Sequence, residues 1–282
     1  MIPLTSENVV VSPRQDEINR AVYHSPGIHR YYLSKVLTPP ETACLLKYQP
    51  YISGRDVLDI GVGAGRTARY LAPLARRYEA VDYSPVMVDY VKQVMPEISV
   101  RQTDFRDLGV FDNLSFDFVF ATDNVIDALS HEDRLRALHE ASRVLRPGAI
   151  LAFSSHNIHY RKAFSGPWLE WSANPVRFAS NCAKFAISWW NYLRVAPLRR
   201  TTPEYALLND RGHFYACLHY YAARSKVNSQ LAYAGMRLLE AFDVEGRVVS
   251  EAEDDSQTPS LLYVAERIDW RKRVGVEPTR DV

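Results

Sequence analysis

Cysteine is scarce in this sequence: Cys44, Cys182 and Cys217 are all there is, they lie far apart, and no C-x-x-C pair occurs. That spacing argues against a disulfide framework or a cysteine-based metal site and fits buried thiols of a reducing compartment. An excess of one charge is also missing. The chain has 34 Lys+Arg against 33 Asp+Glu, a formal net of +1, so no whole-protein attraction draws it to nucleic acid or an anionic membrane, though a local patch stays open. No apolar run reaches the roughly 18 residues that would span a membrane. The first residues, MIPLTSENVVVSPRQDE, lack the basic segment and apolar run of a secretory signal. No internal repeat or low-complexity segment appears. The expectation is a soluble, cytoplasmic protein. What the chain does have is length and apolar content: 282 residues, 47% hydrophobic, enough for one substantial core with a small addition.

From Arg55 the sequence alternates short apolar runs with amphipathic stretches. Asp56 to Ile60, Tyr78 to Val81, Ile98 to Gln102, Phe116 to Thr122 and Ala149 to Ser154 read as buried strands. Helices are expected from Arg66 to Arg77, from Pro85 to Met95 with proline in the first turn, and from a capping box at Ser130 to about Leu145. Strand and helix in regular alternation mean βαβ units and a parallel, doubly wound α/β sheet. After Ser155 the rhythm breaks. It resumes with a helix over Lys226 to Ala234 and strands over Met236 to Val244 and Ser260 to Glu266. With no helix between them, these two strands are expected to pair as a hairpin.

The site-bearing motif is Asp59-Ile60-Gly61-Val62-Gly63-Ala64-Gly65-Arg66, between a strand and a helix. Glycines there let the backbone turn tightly and let a ligand lie against bare main chain near a helix N-terminus. Asp82 ends the next strand, where a carboxylate can accept hydrogen bonds from both ribose hydroxyls. A dinucleotide fingerprint would place its third glycine one residue later. Asp59 inside the preceding strand would repel a pyrophosphate but suit the ammonium of a sulfonium amino acid. Charge therefore favours S-adenosylmethionine over a dinucleotide.

VLDIGVGAGRTARYLA, AVDYSPVMVDYVK, QTDFRD and FDFVFATDNVIDALSHEDRLRALHEASRVLRPGAILAFSSHN together resemble a class I S-adenosylmethionine-dependent methyltransferase over residues 55–157. HYYAARSKVNSQLAYAGMRLLE resembles the segment these enzymes place after the fifth strand. The resemblance implies a Rossmann-like sheet of seven strands with the last antiparallel. It also implies S-adenosylmethionine as cofactor and S-adenosylhomocysteine as product. In its terms Gly61, Gly63 and Gly65 cradle the methionine and ribose, Asp59 lies near the amino group and Asp82 takes the ribose hydroxyls. Tyr83 and Met87 border the adenine, Asp104 accepts from its amino group and Phe105 packs on the ring. Asp123 and Asn124 lie under the methionine moiety and the methyl. Tyr83 and Phe105 have plain packing as an alternative reading. Ala149 departs from the family's usual PGG at a turn.

Methyl transfer to a hydroxyl needs an aligned acceptor and a destination for its proton. His156, leaving the fifth strand, is the preferred base, with hydrogen bonding to its own loop as the plainer alternative. Asp127 is the second candidate, as base or as orienter of the substrate. His219 follows. His131 reads as part of a helix cap. Tyr220, Tyr221 and Trp168 are candidate substrate-binding residues. No metal is expected, because His156 and His159 have no carboxylate or cysteine close in sequence to complete a ligand set. The run Glu251 to Asp255 reads as a solvated loop.

The expected organisation is an N-terminal helical cap (1–52), the cofactor-binding half of the core (53–156), an aromatic, basic, mainly helical inserted lid (157–211), the rest of the core with its hairpin (212–268) and a frayed tail (269–282). The function these features predict is O-methylation of a small-molecule or saccharide hydroxyl, by in-line transfer from the sulfonium. Two alternatives stand beside it: a peripheral membrane methyltransferase with a lipid or quinone acceptor, and a non-catalytic nucleotide-sensing or interaction module. Expected partners are a small acceptor, a sugar or lipid-linked sugar among them. Membrane contact and oligomerisation are left open, and no nucleic acid is expected, for want of a basic tail or target-base motif.

Overall fold

The computed structural model describes residues 13–250 and 252–268; the expectation for the 269–282 tail lies outside them. In chain order the helices and strands are α1 (Pro13–Tyr23), α2 (His29–Tyr32), α3 (Pro39–Lys47), β1 (Asp56–Ile60), α4 (Ala68–Leu71), β2 (Arg77–Asp82), α5 (Pro85–Val94), β3 (Ser99–Gln102) and β4 (Phe116–Ala121). They continue with α6 (His131–Val144), β5 (Leu145–Asn157), α7 (Pro175–Val195), β6 (Arg200–Thr201), β7 (Tyr205–Leu208), β8 (His219–Ala222), α8 (Arg224–Tyr233), β9 (Met236–Phe242) and β10 (Ser260–Arg267).

Apolar alternation explains the layers. Successive residues of a strand face opposite sides, and here both sides are buried. Leu58, Val119, Leu151, Phe153 and Tyr263 enter one core, shared with α6 and α8. Val57, Phe118, Phe120, Ile150 and Val264 enter a second core, roofed by Cys44 and Ile52. Strands β3-β2-β1-β4-β5 run parallel in that order. β10 pairs antiparallel with β5 and with β9. This is the seven-stranded, Rossmann-like sheet with one reversed strand, and the expected hairpin is present.

Three elements differ from the sequence reading. The helix expected over Arg66 to Arg77 stops at Leu71, because Pro73 cannot continue it and Arg77 is drawn into β2 opposite Asp56. β5 runs past Ser154 to Asn157, because its last two residues gain a further parallel partner in β8. The segment 157–211 is not simply a helical lid. It holds the long helix α7, and its end folds with the following residues into the antiparallel strands β6, β7 and β8. The sheet thus has ten strands among the described residues.

Candidate active site

The carboxyl ends of β1, β2 and β4 open into a cavity of about 90 Å³ lined by Asp59, Gly61, Gly63, Asp82, Tyr83, Met87 and Asp123, with Tyr23 and Tyr32 from the N-terminal helices. A second lobe shares Gly61, Asp82 and Tyr83 and is bordered by Thr103, Asp104 and Phe105. Gly61 is at φ +72 because Val125 lies where its side chain would be: an added Cβ would sit 2.3 Å from Val125 Cγ2. Gly65 lines neither lobe. It turns the chain beneath Met95, whose sulfur would be 2.8 Å from an added Cβ.

Asp59 is buried, and one oxygen accepts from Thr67 Oγ1 (2.5 Å) and Tyr78 Oη (2.7 Å). Burial pushes its carboxyl up to about 6 despite those two donors. Asp82 accepts from the Gly63 and Ser84 amides, each at 2.9 Å, and burial likewise pushes it up to about 6. Asp104 differs from expectation. Its oxygens accept from Arg106 Nε (2.9 Å), Arg106 Nη2 (2.6 Å), the Arg106 amide (3.0 Å) and Arg20 Nη2 (2.9 Å). A carboxylate has about four lone-pair sites, so an adenine amino group would have to displace one arginine contact.

Beyond Asp123 lies another cavity, of about 380 Å³, which shares Tyr23, Tyr32 and Asp123 with the first. His156 faces it from the end of β5. Its Nδ1 is 2.7 Å from Asp127 Oδ2, which also accepts the His156 amide at 2.6 Å. A carboxylate only accepts, so Nδ1 carries the proton and Nε2 keeps a lone pair. That lone pair faces Asn124 Nδ2 at 3.2 Å. Asn124 therefore borders this cavity rather than the two lobes described above. Asp123 and Asn124 both adopt left-handed backbone (φ 58 and 59), and Asp123 pairs with Lys35 Nζ at 2.6 Å.

Asp127 is fully buried, which corrects its reading as a base or substrate contact. It holds His156, the Ser155 hydroxyl (2.7 Å) and the Arg134 guanidinium (2.6 Å). Tyr220 is corrected too. Alternation along β8 turns it into the core, against Arg134, Gln230 and His131. Tyr221 faces the cavity, and Trp168 lies at its outer rim under Arg211. Ser130 caps α6, as expected, while His131 stacks on Tyr205.

Sequence reasoning missed Asp210. Its Oδ2 accepts from Tyr221 Oη (2.7 Å) and His219 Nδ1 (2.9 Å) and lies 3.7 Å from His156 Nε2. Burial opposes charge on His219, yet Asp210 holds its pKa well above the ordinary value. Burial opposes charge on Asp210 too, yet His219 holds it below the usual carboxylate range. The only local signal was Asp-Arg-Gly, a turn in which Asp210 Oδ1 accepts the Gly212 amide. His156, Asp210 and His219 converge from three separate segments, with potential ligand atoms all within 4.8 Å. The imidazoles of His156 and His219 stack, with centroids 5.3 Å apart.

Residues 57–148 match the family model described as a methyltransferase domain. This chain carries a class I S-adenosylmethionine-dependent methyltransferase domain. A probable S-adenosylmethionine-dependent methyltransferase of Mycolicibacterium smegmatis is 35% identical over 105 residues, 37% of this chain and 39% of that protein. The cypemycin N-terminal methyltransferase of a Streptomyces species is 34% identical over 134 residues, 45% of this chain and 54% of that protein. The chain thus spans about two-fifths of the length of the first curated relatives it matches. Among solved structures, the 1,6-didemethyltoxoflavin-N1-methyltransferase of Burkholderia thailandensis shares the fold at a TM-score of 0.56 and 12% identity. That match covers 95% of this chain and 93% of that one.

The cofactor of such domains is S-adenosylmethionine, with S-adenosylhomocysteine as product. The residues present fit that molecule. Bare glycine backbone runs beside two buried carboxylates. In the second lobe the Thr103 and Tyr83 hydroxyls are buried with no hydrogen-bond partner among the described residues. The methyltransferase domain thus offers acidic groups for the ammonium and ribose ends and unsatisfied hydroxyls for a polar heterocycle.

Proposed function

We propose that this chain transfers the methyl group of S-adenosylmethionine to a hydroxyl of a small molecule, saccharides among them, held in the cavity at the end of β5. The observation that carries this reading is the His156–Asp127 pair, with a buried carboxylate on Nδ1 and, at the cavity, an Nε2 lone pair that the acceptor hydroxyl takes over from Asn124 Nδ2. Bound S-adenosylmethionine supplies a methyl carbon made electrophilic by its sulfonium. Asp59 holds the donor's ammonium, Asp82 its ribose, and the Gly61–Gly65 turn lets it lie against main chain. Asp127 fixes the His156 tautomer, and Nε2 takes the proton of the acceptor hydroxyl as the oxygen–carbon bond forms and the carbon–sulfur bond breaks, with S-adenosylhomocysteine as leaving group. Tyr23 and Tyr32, common to both cavities, close the line of transfer against water.

The experiment starts with calorimetric binding of S-adenosylmethionine to wild type and Asp82→Ala, followed by an acceptor screen with labelled donor. Removing a positioned base costs about 10²–10⁴-fold in turnover. His156→Ala is expected to lose kcat in that range while still binding donor. Turnover of His156→Ala equal to wild type across pH would sink the base assignment. Absence of donor binding in the folded wild type would sink the activity.

A second reading is an amine acceptor. Asp210 and the tyrosine rings at positions 31, 160, 215 and 221 around the same cavity suit a cation, and the cypemycin enzyme is by its name a methyltransferase of an N-terminus. Screening matched amine and alcohol acceptors separates the two.

A further inference from the structure

α7 is 21 residues long and presents its outer face to no other described element. Val176, Ala183, Ile187 and Trp190 recur at helical spacing along that face, with Ala179, Ala186 and Leu193 beside them. Val176 is 79% exposed and Trp190 72%. Single exposed apolar residues are ordinary; a continuous stripe along a six-turn helix is not.

Charge says what covers it. Residues 171–203 contain no Asp or Glu but carry Arg177, Lys184, Arg194, Arg199 and Arg200. Arg199 is engaged by Asn209 and the Tyr192 ring. Among the described residues, Arg177, Lys184, Arg194 and Arg200 form no ion pair. Seven residues apart, Arg177 and Lys184 lie along one edge of the apolar stripe, while Arg194 stands at its C-terminal end.

We infer that α7 lies flat on the surface of an anionic lipid bilayer, its apolar stripe entering the headgroup boundary and its free cations meeting the lipid phosphates. An aromatic and aliphatic face edged by unpaired cations is the chemistry of an interfacial helix. No described helix is long and apolar enough to cross a membrane, so α7 rests on the bilayer. A second copy of this chain is the poorer occupant, because docking two such faces sets unpaired cations against unpaired cations. The inference does not depend on which atom is methylated.

The test is co-sedimentation of the full chain with large vesicles of pure phosphatidylcholine and of phosphatidylcholine containing a third phosphatidylglycerol. The chain is expected to pellet with the anionic vesicles and stay in solution with the neutral ones. Ile187→Asp/Trp190→Asp and Arg177→Glu/Lys184→Glu should each weaken partitioning about tenfold or more. All four positions are at the surface, so the melting temperature should not change, and S-adenosylmethionine binding should match wild type. A wild type that stays in solution with anionic vesicles overturns the inference. So does binding that both double variants retain. Concentration-dependent dimerisation abolished by Ile187→Asp/Trp190→Asp, with no vesicle binding, would assign the face to a second copy instead.

Discussion

Removing the charge of Arg134 should cost more stability than almost any other single change in this fold. The side chains of Arg134 and Asp127 are both 0% exposed and meet at 2.6 Å. Arg134 also donates to Gln230 (2.9 Å) and Ser155 (3.0 Å) and lies 4.6 Å from the Tyr220 ring centroid. In Arg134→Met the apolar neighbours accept the new side chain, but Asp127 is left as a buried anion without its counter-ion. Breaking one partner of such a pair costs about 3–5 kcal/mol. With unfolding entropy of about 2.1 cal/mol/K per residue, a chain of 282 residues should melt about 5–8 °C lower. The double variant Asp127→Leu/Arg134→Met removes both charges, and its loss should be clearly smaller than the sum of the single losses. Thermal unfolding followed by circular dichroism measures all four proteins. Additive losses, or an Arg134→Met melt within about 1 °C of wild type, would refute the account. Arg134→Met should also lower kcat with little change in donor affinity, because Asp127 positions His156 and touches neither lobe of the donor pocket.

Donor binding should weaken as pH falls through 6, where burial has pushed Asp59 and Asp82. Calorimetry between pH 8 and 5 should show the dissociation constant rising, and a flat profile would refute their roles. Without donor the sign reverses. Raised carboxyl pKa values mean that these two groups favour the folded state fully below about 4 and lose that contribution as pH rises through 6. Apo protein should therefore lose this part of its stability between about pH 4 and 6.5, and Asp82→Asn should flatten the loss in a urea titration. Gly61→Ala forces a methyl into Val125 at positive φ and should weaken donor binding at least about tenfold. Val125→Ala in the same chain should restore part of its stability, as read from the melting temperature. Phe214, half exposed at φ 54 between two other left-handed residues, should gain about 1 kcal/mol in denaturant titrations when replaced by glycine.

Much of the core was legible because β1, β4 and β5 are buried on both faces and therefore read as mostly apolar runs, with glycine or proline bounding β1 and the apolar part of β5. The donor residues sit at the ends of those strands and inherit that legibility. Of the predicted donor set, Asp59, Gly61, Gly63, Asp82, Tyr83, Met87 and Asp123 all line the first lobe. What escaped depends on distant pairing. Tyr220 and Tyr221 are equivalent as letters; only once 219–222 is known to be a strand does alternation send one inward and the other to the cavity. Asp210 reaches His156 because β7 and β8 fold back along the end of β5, a contact that no local spacing encodes. Asp104 was assigned to a ligand because Arg20, 84 residues away in sequence, gave no sign that it would claim the same oxygens.

The register at the end of β5 has a consequence for how this scaffold acquires specificity. Asn157 is the partner of Ala222, and the Ile158 amide donates to the Ala222 carbonyl at 3.3 Å. The stretch between them therefore leaves and re-enters the sheet at neighbouring points. It carries α7, Asp210, His219 and Tyr221, whereas the first donor lobe is built from residues before Leu129. Such a stretch is topologically a single excursion, and the entropy of closing it grows only with the logarithm of its length. Its sequence and size can change without moving the anchor points or the donor half. One parallel bridge thus works as a splice site, at which one donor scaffold accepts different acceptor pockets.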